Sequence, residues 1–99
     1  MAQHNELGEI GEKLASGHLV RMGYELLDLN WRSGRNEIDI VARTGEMVVF
    51  VEVKTRATDF FGEPKEAVSK AQQRRLIQAA NDYMEQNEIE LEARFDVIS

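Results

Sequence analysis

The stretch Glu37-Ile38-Asp39-Ile40-Val41-Ala42-Arg43-Thr44-Gly45-Glu46-Met47-Val48-Val49-Phe50-Val51-Glu52-Val53-Lys54 decides how this chain is read. Its two halves are rich in β-branched residues, and Thr44-Gly45 between them is a turn signal of hairpin length. Residues 37–43 and 47–56 are therefore expected to form two antiparallel strands. With Thr44-Gly45 as a two-residue loop, Arg43 pairs with Glu46, Asp39 lies opposite Phe50, and Glu37 lies opposite Glu52. Residues two apart in a strand face the same way, and directly opposed residues share a face. Glu37, Asp39, Glu52 and Lys54 are then expected to project together, with Asp39 and Glu52 as diagonal neighbours about 7–8 Å apart. A slip of one residue would move Asp39 to the other side of the sheet.

A Glu-x-Lys triplet is common in a chain of which 30% is charged, and by itself it usually marks an ion pair at a strand end. Here Glu52-Val53-Lys54 follows the most apolar run of the chain, Met47-Val48-Val49-Phe50-Val51. Charges at the end of a buried strand need partners, because burying them unpaired is costly. Three clustered carboxylates raise one another's pKa unless a cation neutralises them. Lys54 supplies one positive charge. A Mg²⁺ or Mn²⁺ ion, which favours carboxylate, carbonyl and water oxygens, would supply two more. Such an ion activates a bound water and stabilises a phosphate under in-line attack, and Lys54 could position that water or neutralise the developing charge.

Working outward, residues 4–22 read as a helix, with Leu7, Ile10, Gly11, Leu14, Ala15, His18 and Met22 on one broad face at the helical repeat. Glu12 falls at the border of that face and is the helix acid expected to lean over the sheet; Glu6 and Glu9 point outward. Gly23 ends the helix, residues 24–31 read as a strand, and Ser33-Gly34 turns the chain. The 57–63 loop contains Phe60, Phe61 and Gly62. Pro64 suits the first turn of a second helix, which is expected to run to about Gln86 with Val68, Leu76, Ala79, Ala80 and Tyr83 on one side. A last strand covers residues 93–98. The order α-β-β-β-α-β is an α/β arrangement around a mixed sheet. On the second helix Gln72 falls inside the apolar stripe and Gln73 at its edge, followed by Arg74 and Arg75. A buried amide must find hydrogen bonds, to backbone in the commoner case or otherwise to a ligand or phosphate. Trp31, Phe60 and Phe61 could stack on bases, but core packing and loop anchoring suit them better.

The chain has 99 residues and no cysteine, which excludes disulfides and thiolate metal sites. No apolar run is long enough to cross a bilayer, and the first residues lack the pattern of a signal peptide, so the cytoplasm is the expected compartment and no membrane is expected as a partner. The net charge of −6 is unfavourable for a nucleic-acid binder, but it is unevenly distributed. Residues 31–75 hold nine Lys/Arg and seven Asp/Glu, whereas the rest hold three and eleven. The basic residues collect around the middle, as a phosphate-facing centre would require.

Gly8-Glu9-Ile10-Gly11-Glu12, Gly23-Tyr24, Asn30-Trp31-Arg32, Glu37-Ile38-Asp39-Ile40, Phe50-Val51-Glu52-Val53-Lys54-Thr55-Arg56, Phe61-Gly62 and Arg94-Phe95-Asp96-Val97 resemble, as a set, the YraN-like family of bacterial proteins. That family looks like a member of the PD-(D/E)xK nuclease superfamily, nearest in pattern to the archaeal Holliday-junction resolvases. The resemblance covers nearly the whole chain. It implies one nuclease-like domain over residues 1–99 with a restriction-endonuclease-like α-β-β-β-α-β core, a mixed central sheet flanked by helices. It matches Asp39 and Glu52 to the metal-binding acids, with Glu37 the first acid of the Glu-Ile-Asp motif, Lys54 to the catalytic lysine and Glu12 to the helix-one acid. Gln73 matches a helix-two glutamine that the family commonly precedes with Lys; Gln72 stands there instead. The family usually continues for another strand and a short helix beyond the Arg94-Phe95-Asp96-Val97 strand, so this chain is shorter than the family norm at its C-terminus.

The resemblance implies a Mg²⁺- or Mn²⁺-dependent endonuclease acting on DNA, with Arg56, Gln72, Gln73, Arg74 and Arg75 as nucleic-acid contacts. Branched DNA in repair or recombination is the implied substrate. Two cuts in opposite strands would need two sites, which leaves a homodimer open. The rival expectations are a protein that grips nucleic acid on a nuclease fold without cutting it, and an accessory protein of a repair assembly that docks through the Phe60-Phe61 loop.

Overall fold

A computed structural model describes residues 6–54 and 69–99 of the chain. In order, these form α1 (Glu6–Arg21), β1 (Glu25–Ser33), β2 (Asn36–Thr44), β3 (Met47–Val53), α2 (Lys70–Gln86) and β4 (Glu92–Ile98). The strands make one sheet in the order β1-β2-β3-β4. The first two pairings are antiparallel and β3 runs parallel to β4. Antiparallel neighbours need only tight turns, whereas the parallel β3–β4 step needs a crossover long enough to contain α2. The expected α-β-β-β-α-β core, a mixed sheet flanked by helices, is what the chain adopts.

Helices cover both faces of the sheet, so its central strands are apolar on both sides. On one face Ala15 and Leu19 of α1 pack against Ile40, Ala42, Val49 and Val51. On the other, Leu76, Ala79, Ala80 and Tyr83 of α2 pack against Ile38, Val41, Val48 and Phe50. The spacing of the α2 set is the stripe of an amphipathic helix. Tyr83 donates from its hydroxyl to Asp28 Oδ2 at 2.9 Å, and Ser33 Oγ donates to Asp82 Oδ2 at 2.7 Å, which pins β1 to α2. Trp31 belongs to this core: its ring meets Tyr83 edge to face, 5.0 Å between centroids.

Three expectations need correction. The second hairpin turns at Gly45-Glu46, because Thr44 pairs with Met47. Gly45 has φ +62 and Glu46 does not share the left-handed region, the pattern of a type II′ turn with glycine first. The registration is therefore two residues away from the expected one. A shift of two preserves faces, so Asp39 is brought toward Glu52 rather than Phe50.

The second helix starts at Lys70, not near Pro64. Ser69 is its N-cap, in extended conformation, and closes a capping box with Gln72. Pro64 and Val68, like the loop bearing Phe60, Phe61 and Gly62, lie outside the described residues. On α1 the broad apolar face is not buried: Leu7, Ile10, Leu14 and Met22 are exposed, and only Ala15 and Leu19 are in the core. The buried line is thus rotated toward Glu12, which lies one turn before Ala15 on the same side. Among the described residues no helix is long and apolar enough to cross a membrane.

Candidate functional site at the fork of two central strands

The β2–β3 ladder ends at the pair Ile40–Val51. One step further Asp39 would face Glu52, but the strands part there. The Val53 amide donates instead to Asp39 Oδ2, at 2.8 Å. A carboxylate thus takes the place of a backbone carbonyl, which satisfies a donor that the parting strands would otherwise orphan. Asp39 Oδ1 makes no hydrogen bond among the described residues.

The other neighbour of β2 is irregular at the same level. The β1–β2 ladder pairs Leu29 with Ile40 and Trp31 with Ile38, passing over Asn30 and Asp39. Asn30 has φ +50, in the left-handed region that Asn tolerates better than most side chains. Alternation in β2 breaks as a result: Ile38 packs with the α2 cluster and Ile40 with the α1 cluster, although they are two apart. The strict alternation used to put Glu37 and Asp39 on one face therefore fails at Asp39. Glu37 nevertheless lines one cavity together with Glu52.

Glu12, Asp39 and Glu52 act on one another through space. Burial is the main cause that raises the Glu12 carboxyl above its ordinary range, followed by the charge of Asp39; the Asn30 side chain hydrogen-bonds Glu12 and lowers it, and Glu37 and Glu9 raise it. Burial likewise raises Asp39; the Val53 amide opposes this, Glu37 adds to it and Lys54 reduces it. For Glu52 burial again comes first, then the repulsion of Asp39, with Lys54 lowering and Glu37 and Glu12 raising. Glu52 makes no hydrogen bond or ion pair among the described residues. Glu37 has a loose one, 3.7 Å to an exposed Arg32.

Of the remaining residues singled out in the sequence, Gln72 and Arg75 line the cavity that holds Glu37 and Glu52. Gln72 also accepts the Ser69 amide within the capping box, at 3.2 Å. Gln73 lines a different cavity, with Phe95 and Asp96. Arg74 is exposed on α2. Arg56 lies outside the described residues. Two neighbours of the site escaped the sequence reading: Asn30, which positions Glu12, and Arg35, which lines the Glu52 cavity. Asn30 stood inside a quoted motif, but nothing in the local pattern marks its backbone as left-handed.

The donor set consists of oxygens that are half buried, poorly partnered and mutually repulsive, which is the chemistry of a hard divalent-cation site. As the side chains lie, no three Asp, Glu or His residues among those described come together closely enough to hold an ion.

The topology and its fork define a protein with a restriction-endonuclease-like core. Within that class, the chain belongs to the family described as "Uncharacterised protein family UPF0102", whose model matches residues 11–99. The "UPF0102 protein" of Christiangramia forsetii is 46% identical over 99 residues, covering 100% of this chain and 83% of that one. The "UPF0102 protein" of Porphyromonas gingivalis strain W83 is 48% identical over 99 residues, 73% of its length. That of Syntrophotalea carbinolica is 46% identical over 98 residues, covering 98% of this chain and 80% of the relative. The family-level reading of the sequence is met.

Proposed function

We propose that this protein is a Mg²⁺- or Mn²⁺-dependent endonuclease that cuts DNA, branched DNA in repair or recombination being the substrate class. The observation that supports it best is the fork itself. Glu12 from α1, Asp39 from β2 and Glu52 from β3 repel one another through space where two central strands part, with Lys54 lowering two of the three. A structural ion pair would need only one carboxylate for one lysine; the excess negative charge calls for a cation.

In this reading Asp39 and Glu52 hold the ion, with Glu37 at its edge. Tying Asp39 Oδ2 to the Val53 amide fixes that side chain's rotation and leaves Oδ1 to bind. The ion would activate water and polarise the phosphate. Glu12, its pKa raised, is suited to take a proton from the attacking water. Lys54 offsets negative charge as water adds to phosphorus and the P–O bond breaks. Cutting both strands of a junction would take two copies of the chain.

A second reading, a DNA binder on a nuclease fold, is favoured by the absence of a three-carboxylate metal group among the described residues. One experiment separates them. Purified protein is titrated with Mn²⁺ by calorimetry, and then assayed on linear, flapped and four-way DNA. The nuclease reading expects metal binding that Asp39→Asn removes, and Mn²⁺-dependent cutting. Identical metal binding by wild type and Asp39→Asn contradicts the site. DNA binding with no cutting of any substrate makes the protein a binder.

A further inference from the structure

The cavity beside Glu52 has a volume of about 200 Å³, and two arginines line it from different elements. Arg35 is the second residue of the β1–β2 turn, between Ser33 and Asn36, which pair. Gly34 takes φ +62 just before it, so the turn is tight and presents Arg35 at its tip. Arg75 comes from α2, one turn beyond Gln72. Both guanidinium groups are exposed, and neither makes a hydrogen bond or ion pair among the described residues. Neither pairs with Glu37 or Glu52, which line the same cavity. The ion pair of Glu37 goes to Arg32 instead.

Guanidinium groups present planar forks of N–H donors that match phosphate oxygens. A cavity of this size has room for a phosphate group. It adjoins Glu52, so an anion bound there would neighbour whatever the fork holds. The charge balance adds a condition. Two arginines and two glutamates cancel; the cavity becomes a cationic anion site once a divalent ion neutralises the carboxylates.

We propose that this cavity takes the phosphate adjacent to the reacting one on a polynucleotide strand, held by Arg35 and Arg75. The proposal rests on the nuclease reading above and narrows it. The substrate must carry consecutive phosphates, so a small phosphodiester with a single phosphate is not bound productively. Arg35 becomes a substrate-binding residue.

Fluorescence anisotropy tests this on a labelled DNA duplex and a four-way junction with Mn²⁺, all proteins carrying Lys54→Ala so that cutting is slow beside the measurement. Arg35→Ala and Arg75→Ala should each weaken binding about tenfold whatever the sequence, and each should reduce the slope of log affinity against log salt by about one. A strand in which one methylphosphonate replaces the contacted phosphate should bind more weakly to the parent and no more weakly to the Arg35→Ala/Arg75→Ala protein. Circular dichroism melting should be unchanged, because both side chains are exposed. Unchanged affinity and salt slope in both variants, with DNA bound by the parent, would overturn the subsite and leave any Mn²⁺-dependent cutting by wild type standing. Loss of binding in the variants, with wild type that never cuts, would uphold the subsite and remove the nuclease.

Discussion

Glu52 is a half-buried carboxylate with no hydrogen-bond partner among the described residues, next to Asp39 and near Glu12. Its raised pKa has a consequence for stability. A carboxyl whose folded pKa lies above its unfolded one contributes stability that is complete below the unfolded pKa, and that is lost as pH rises through the folded value. In metal-free buffer, wild type should therefore lose stability on going from about pH 4, near the ordinary glutamate pKa, toward neutrality. Glu52→Gln, which keeps the shape and removes the charge, should unfold at higher urea than wild type at pH 7 and at the same urea at pH 4. Added Mg²⁺ should stabilise wild type and leave the variant where it is, since only a ligand that binds the native state shifts the midpoint. A variant less stable than wild type at pH 7 would mean that Glu52 is satisfied by contacts and has no strain for a cation to relieve.

At the scale of elements, the hairpin register puts Asp39 level with Glu52, and Gly45 sets the register. Its φ of +62 costs an L side chain about 1–2 kcal/mol, and an added Cβ would meet nothing within 4 Å. Gly45→Ala should thus destabilise by that backbone cost alone, about 1–2 kcal/mol in urea unfolding; no loss would show that the turn adopts another form. The same glycine explains why the turn sits one residue later than its Thr-Gly signal suggests. In a two-residue loop at Thr44-Gly45 of the favoured type I′, the β-branched Thr44 would need positive φ. Moving the loop one step, with glycine first, removes the conflict. The even shift brings Asp39 level with Glu52, although alternation along β2 breaks at Asp39. The strands and the α2 stripe were legible because apolar periodicity reports burial directly. The α2 start was not, since Pro64 is an attractive signal while Ser69 and Gln72 form the capping box that begins the described helix. On α1 the apolar spacing overstates burial, since only Ala15 and Leu19 reach the core.

Across the whole molecule, charge and topology converge on one end of the sheet. The fork opens where β2 and β3 part, α1 brings Glu12 from one face, and α2 and the β1–β2 turn bring Arg75 and Arg35 from the other. That Asp39, Glu37 and Glu52 come near one another was legible from residue type and spacing. Asn30 and Arg35 were not, because their roles depend on a left-handed backbone and on a turn that only the folded sheet places. The nuclease reading requires these groups to act as one site. Single-turnover cleavage of four-way DNA in Mn²⁺, with protein in excess over its dissociation constant, tests that most directly. Lys54→Ala should cut about 10²–10³ more slowly than wild type, the usual cost of one electrostatic contact in a transition state, while binding DNA almost as well. Glu52→Gln should lose both metal binding and cutting. Cutting that survives Lys54→Ala and Glu52→Gln at the wild-type rate would contradict the account.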